Sequence, residues 1–411
     1  MRISLVPDRT KLRNPAMTPI ERWMLPDGIE EILPPEAAKV EQLRRRLVDH
    51  FSLWGYQMVI PPMMEFTDSL TVGLGRDVDL NTFKVTDQLS GRSMGIRADM
   101  TPQIARIDAH SLQEEGVTRL CYTGHVLKAR VKGALEARNP MQVGAELFGW
   151  SGLDADAEIM SLLLSAFDLA HVEDLCLDLG HVGIYRALAE FAGLSDIDEA
   201  EFFELLQSKA MVEIGAWVEA NIQDEQVGTW LLELPRLFGS LDTIDKARAV
   251  FDGAPDEIYA ALDELEAAAS LVSQRFPGVE IHFDLSELAG YHYTTGLVFA
   301  VYAPGPGTAI ARGGRYDHIG EVFGRARSAI GFTADLVALC RLGGIDPVRK
   351  QPIFALISED PKQWQAVQEL RHKGEMVIVG SEDERMSRQT HRFNRVLRLE
   401  EGEYQVISTD N

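Results

Sequence analysis

The sequence predicts an α+β fold: a mainly antiparallel sheet flanked by helices, with a helical insertion and a small C-terminal α/β unit. Three observations carry that expectation. Residues 119–127 and Met141–Gly149 read as two strands joined by a basic loop, the second alternating strictly between Gln142, Gly144 and Glu146 and Val143, Ala145 and Leu147. Residues 185–276 are almost wholly helical in pattern, rich in Leu, Ala and Glu, and strands return after them. The last stretch runs strand, helix, strand in under 70 residues.

In order, residues 1–19 carry basic residues and prolines without periodicity and are expected to form an unpacked tail, with Met17 a candidate start. Pro34-Pro35-Glu36 opens a helix whose Val40, Leu43, Leu47, Val48 and Phe51 share a face, ended by Gly55. A short strand, 56–60, is stopped by Pro61-Pro62. Gly73-Leu74-Gly75-Arg76 is too weak a phosphate-loop pattern to use. Pro102 marks a first helical turn with Thr101 available as N-cap, and Arg97 and Asp99 read by themselves as an ordinary surface pair.

The strand Met141–Gly149 turns Val143, Ala145 and Leu147 to the core. Its other face bears a carboxamide, a carboxylate and a glycine that leaves access between them, which suits a small cationic or amphoteric molecule or a solvated sheet face. A helix is expected over 154–169, a strand over 174–179, and helices over 185–276 broken near Gly193, Gly239 and Gly253-Ala254-Pro255. Strands follow at 279–285 and 290–303. Along the latter, period two puts Tyr291, Tyr293 and Thr295 on one face, a pattern that core packing also produces. Residues 308–312 read as a strand ending in a Gly313-Gly314 turn, and Ala329–Phe332 leads into a helix through Leu342. The domains so drawn are a tail at 1–19, a core of 20–183 and 277–343, the insertion 184–276 and a C-terminal unit, 344–411.

The formal net charge of −23 opposes extended contact with a polyphosphate backbone, so no nucleic-acid partner is expected. Cys121, Cys176 and Cys340 are odd in number, far apart and set in apolar runs, which argues for buried thiols in a reducing compartment rather than a disulfide or zinc framework. No apolar run is long enough to span a membrane and no leader pattern opens the chain, so the expected location is cytoplasmic, without a membrane partner.

Read together, four runs resemble the catalytic core of class II aminoacyl-tRNA synthetases, histidyl-tRNA synthetase in particular, over roughly residues 23–342. They are Phe51–Met64, Arg97-Ala98-Asp99-Met100-Thr101-Pro102, the strand pair of 119–149, and a group comprising Gly290–Phe299, Gly313-Gly314-Arg315-Tyr316-Asp317 and Ala329-Ile330-Gly331-Phe332. The resemblance implies a histidine pocket of Asp99, Thr101 and Gln142 about the α-ammonium, with Glu146 facing the imidazole. Tyr293, and secondarily Tyr316, are the candidates for the ring's other partner.

Departures from the synthetase fall on the nucleotide side. The motif arginine that holds the α-phosphate and the acid two places on read Lys128 and Arg130. The later arginine falls at Ala338 after Val337, and the arginine that assists adenylation aligns with Ala289. Arginine forks on a transferring phosphate are a large part of catalysis, so their loss argues against adenylation. This combination resembles the regulatory subunits of ATP phosphoribosyltransferase, especially at Gly144–Gly149, Gly290–Tyr293 and Gly331–Leu336. That resemblance implies a chain without bond chemistry, metal or cofactor. It would activate a short-form catalytic subunit, carry feedback inhibition by L-histidine, and pair as a dimer within a hetero-oligomer such as an octamer. The rival readings are a divergent histidyl-tRNA synthetase or histidine-activating enzyme, and a scaffold for another amino acid or protein.

Overall fold

The computed structural model describes residues 23–71, 79–130, 137–288, 290–291, 293–344, 351–383 and 393–408. The 1–19 tail, Met17, Gly73–Arg76 and Ala289 lie outside them. The chain divides into two compact units, 1–345 and 346–411.

In the first unit the described residues form a nine-stranded sheet. Its strands, in spatial order, are β1 (Gln57–Met58), β5 (Thr118–His125), β6 (Met141–Phe148), β12 (Ala329–Asp335), β11 (Ala311–Arg315), β10 (Leu297–Tyr302), β7 (Cys176–His181), β9 (Glu280–Asp284) and β8 (Phe238–Gly239). The pairs β1–β5 and β7–β9 are parallel and the other six antiparallel, as the sequence implied for this core. A separate three-stranded sheet orders β2 (Met64–Phe66), β4 (Ser93–Ile96) and β3 (Phe83–Thr86).

One face of the large sheet carries the main core. Helix α1 (Glu36–Leu53) lays Val40, Leu43, Leu47 and Phe51 on it, each buried, and the Phe51 ring meets Phe332 edge-on at 5.9 Å. Each such burial is worth about 1.5–3 kcal/mol against exposure. The 17-residue helix Leu153–Leu169 and the 20-residue helix Asp256–Arg275 join the same core, in which Val143, Ala145 and Leu147 are also buried.

The stretch read as helical with breaks near Gly193, Gly239 and Gly253-Ala254-Pro255 holds six α-helices, Val182–Phe191, Asp196–Gln207, Met211–Asn221, Glu225–Glu233, Asp242–Val250 and Asp256–Arg275, and a short 3-10 helix, Leu234–Arg236. The breaks at 208–210 and 222–224 carry no glycine or proline. At the first, Lys209 adopts φ 48° while its ammonium pairs with Asp284 at 2.5 Å, a tertiary contact no local pattern announces. Phe238–Gly239 leaves this block to edge the large sheet.

Three local expectations need correction. Gly290, Tyr291 and Tyr293 lie in turns, and the strand begins only at Leu297, so period two does not apply to the tyrosines. Tyr291 packs against Tyr185 and Phe203, whereas Tyr293 folds back over Gly290, where a Cβ would lie 2.8 Å from its ring. Gly313 and Gly314 are not a turn but the middle of β11. A Cβ on Gly313 would stand 2.3 Å from the Phe299 ring, so absence of a side chain permits a close approach between strands. Arg97 and Asp99 do not form a surface ion pair. Arg97 is buried and donates to the carbonyls of His125 (2.8 Å) and Pro61 (2.9 Å).

The second unit has strands in the order β14 (Val377–Gly380), β13 (Ile353–Leu356), β15 (Arg395–Glu400) and β16 (Glu403–Ser408), with helix Pro361–His372. The β15–β16 hairpin follows the strand, helix and strand expected from the sequence and was not itself expected. Its two-residue loop puts Glu401 and Gly402 at φ 49° and 87°, the twist-matched turn of tight hairpins with glutamate at a position usually filled by Asn, Asp or Gly.

Candidate functional site

The sheet face opposite α1 is built by alternation. Residues directly paired across antiparallel strands project to the same face, so Gln142, Gly144 and Glu146 of β6 share theirs with Asp335, Thr333 and Gly331 of β12 and with Gly124, Tyr122 and Leu120 of β5. A cleft of ≈ 1520 Å³ opens there, and Asp99, Thr101, Gln142, Glu146, Tyr293 and Tyr316 all line it.

Glu146 is fully buried. Thr101 Oγ1 and Tyr122 Oη each donate to its Oε1 at 2.9 Å, and the Tyr316 hydroxyl donates to Oε2. Burial pushes this carboxyl up to about 8, against the three hydroxyls, which favour the anion. The same burial, with the carboxylate beside them, drives the Tyr122 and Tyr316 hydroxyls well above their ordinary range. Proton-rich at neutral pH, this end suits a ring with one nitrogen to donate and one to accept.

Room for the Glu146 carboxyl comes from Gly331 opposite. A Cβ there would sit 1.5 Å from Oε2. The sequence left access over Gly144, but that space belongs to Tyr122, whose hydroxyl would lie 2.5 Å from an added Cβ and also meets Thr333 Oγ1 at 2.6 Å. Tyr122 and Thr333 were missed. The alternation of Met141–Gly149 by itself carries no signal for them, and only the hairpin register sets Tyr122 opposite Gly144.

Thr101 is not the N-cap. Met100 takes that position and Thr101 opens the helix Thr101–Arg106, its hydroxyl diverted to Glu146 and to Tyr122 at 3.4 Å. At the cleft's other polar end Gln142 Nε2 donates to Asp99 Oδ1 at 3.2 Å, and Gln142 Oε1 is buried without a partner. Thr294 Oγ1, on another lining residue, is likewise buried and unpaired. Unfilled acceptors beside a carboxylate suit an ammonium ligand.

Of the positions where the synthetase holds phosphate, Lys128 and Ala338 line the cleft, while Arg130 is exposed and does not. Asp335 lines it too. Burial raises its carboxyl, opposed by its N-cap bonds to Val337 and Ala338 and by the Lys128 charge. Among the described residues no cluster of three or more His, Cys, Asp or Glu is arranged to hold a metal, and no helix is long and apolar enough to cross a membrane.

Comparison with known proteins shows the family and the fold. Residues 28–339 match the family model of histidyl-tRNA synthetase, and residues 350–407 that of the ATP phosphoribosyltransferase subunit HisZ C-terminal domain. Proteins named ATP phosphoribosyltransferase regulatory subunit are similar over nearly the whole chain. That of Saccharophagus degradans is 53% identical over 95% of this chain and 99% of its own, and that of Teredinibacter turnerae 54% identical over 89% and 93%. A crystal structure described as an ATP phosphoribosyltransferase regulatory subunit/histidyl-tRNA synthetase from Bacillus halodurans superposes with TM-score 0.77 at 25% identity, covering 89% of this chain and 95% of that one. Histidyl-tRNA synthetase from a Nostoc species shares the fold, with TM-score 0.74 at 16% identity over 94% and 97% of the chains.

Proposed function

The chain belongs to the family of ATP phosphoribosyltransferase regulatory subunits, and from that membership we propose that it binds L-histidine in the cleft and relays feedback inhibition to a catalytic partner. It is a non-catalytic subunit of that enzyme, and the family implies the partner chain. In the proposed pose the imidazole meets Glu146 with Tyr316 and Tyr293 about it, and the α-ammonium meets Asp99, Gln142 and Thr101. The observation that carries this reading is that these six residues line one cleft whose nucleotide side offers Lys128 and Ala338 in place of arginine forks. Adenylation is disfavoured for that reason.

The partner in this reading is a short-form catalytic chain, the assembly a hetero-oligomer built on dimers of this subunit, such as an octamer, and the location the cytoplasm, in keeping with three unbonded cysteines. Histidine would favour the arrangement of the complex in which the partner is less active, and a coupling of about 1–3 kcal/mol suffices for a useful response.

Reconstitution with the short catalytic chain tests the proposal. Activity is expected to require this chain and to fall with histidine, and Glu146→Ala is expected to keep activation but lose inhibition. Unchanged inhibition in that variant would refute the pocket. Histidine-dependent ATP–pyrophosphate exchange above background would instead restore the synthetase reading.

A further inference from the structure

A free amino acid carries a third polar group that none of the six residues satisfies. Its α-carboxylate enters a cleft already lined by the acidic side chains Asp99, Glu287 and Asp335, with Glu146 holding its proton, so without a cation beside it that charge would be desolvated among acidic groups. The described cations that line the cleft are Lys128, Arg312 and Arg341, with His125 at the end of β5.

They are not equivalent. Arg341 is engaged by two carboxylates, Glu36 at 2.6 Å and Glu30 at 3.3 Å. Lys128 balances the half-buried Asp335 on the side that corresponds to the nucleotide. Arg312 is placed differently. The ladder pairs Tyr122 with Gly144, Gly144 with Thr333, Thr333 with Arg312 and Arg312 with Ala300, so these five form one rung on the cleft face of the sheet. Strands lie about 4.8 Å apart, which sets the Arg312 backbone about 10 Å from Gly144, the small residue between Gln142 and Glu146.

Along that rung the Thr333 hydroxyl is committed to Tyr122 and Ala300 is small, so Arg312 is the next polar side chain a ligand over Gly144 encounters. Its side chain is half exposed, at 51%, and its guanidinium pairs with Glu287 at 3.8 Å, longer than a hydrogen bond, and bonds the Tyr302 hydroxyl. Its charge acts on the Tyr293 hydroxyl, opposing the upward push of burial and of Asp99 and Glu146, which sets it by the same tyrosine as the two acids of the pocket.

We infer that Arg312 is the α-carboxylate subsite of this cleft: its guanidinium forks the ligand's carboxylate while Asp99 and Gln142 take the ammonium and Glu146 the ring. The inference rests on the histidine reading above and deepens it by naming what separates a free amino acid from its amine or alcohol analogues. It also accounts for recognition of the carboxylate in a cleft that has lost the synthetase's phosphate-holding arginines, because the cation comes from the middle of β11.

Isothermal titration of the full chain with L-histidine and with L-histidinol, whose hydroxymethyl group replaces the carboxylate, tests it. Wild type is expected to prefer histidine. Arg312→Gln is expected to weaken histidine by roughly 10- to 100-fold and histidinol by less than about twofold, erasing the preference, as loss of one charge-assisted contact does. Lys128→Gln is expected to keep the preference. Two results would overturn the subsite while leaving the histidine pocket standing: a preference in Arg312→Gln as large as that of wild type, whether or not both ligands weaken together, or loss of preference in Lys128→Gln instead. Failure of wild type to bind either ligand would remove the histidine reading and this inference together.

Discussion

Glu146 gives the site its pH behaviour. Its folded-state carboxyl lies near 8 and its ordinary value is 4.5, so the native chain keeps a proton that the unfolded chain has already lost between those limits. Stability from this group is therefore full below about 4.5 and declines as pH rises towards 8. Glu146→Gln, which cannot ionise, is expected to raise the melting temperature of the ligand-free chain by a few degrees at pH 8 and by much less at pH 5. Thermal unfolding followed across that range checks the sign, and an equal shift at both pH values would mean that the carboxyl is not held protonated. That Glu146 faces the cleft was legible from the strand alternation, and its proposed role opposite the ring comes from the family resemblance. Its burial and its hydroxyl partners were not, because Tyr122 and Tyr316 come from β5 and from just after β11, and Thr101 from a helix start.

At the scale of elements, the loop bearing Asp99 is held by Arg97 rather than by its own turn. The guanidinium ties the carbonyls of Pro61 and His125 together, joining the chain before β2 to the end of β5, and the Leu127 amide returns the bond to the Arg97 carbonyl at 2.9 Å. Arg97→Met is expected to cost roughly 2–3 kcal/mol, since buried carbonyls then lose a charged donor, and to weaken histidine binding by loosening Asp99. Urea unfolding and calorimetry on the same variant read both effects. Strands such as β6 and helices such as α1 were legible because one side chain in two, or three to four in seven, is apolar and the chain itself sets those periods. The turns at Gly290, Tyr291 and Tyr293, the strand passing through Gly313-Gly314 and the β15–β16 hairpin were not. Gly290 takes φ 73° beneath the ring of Tyr293, whereas Gly313 serves a close approach whose other partner, Phe299, lies on the neighbouring strand. In the hairpin, a glutamate stands in a left-handed position that composition does not flag.

For the whole molecule, the two units have separate buried clusters. That of the second contains Ile353, Ala355, Val367, Val377 and Leu397, and every residue of the proposed pocket lies in the first. A chain ending at 345 is expected to bind histidine within about threefold of the full chain, since it retains the complete cleft and its supporting core. Calorimetry on the two forms compares them directly, and loss of binding with the fold intact by circular dichroism would show that the second unit contributes to the pocket.

The sequence by itself determined the fold class and the family, and through the family resemblance it nominated the six residues of the proposed pocket, because residue identity and the order of motifs are properties of the chain alone. It also located the lost arginines, since a missing charge is visible without coordinates. Tertiary structure decided which hydroxyls surround Glu146, why Gly331 must lack a side chain, and that Arg312 shares a rung with Thr333, Gly144 and Tyr122. These depend on register between strands far apart in the chain, and a shift of one residue would turn each of them to the opposite face.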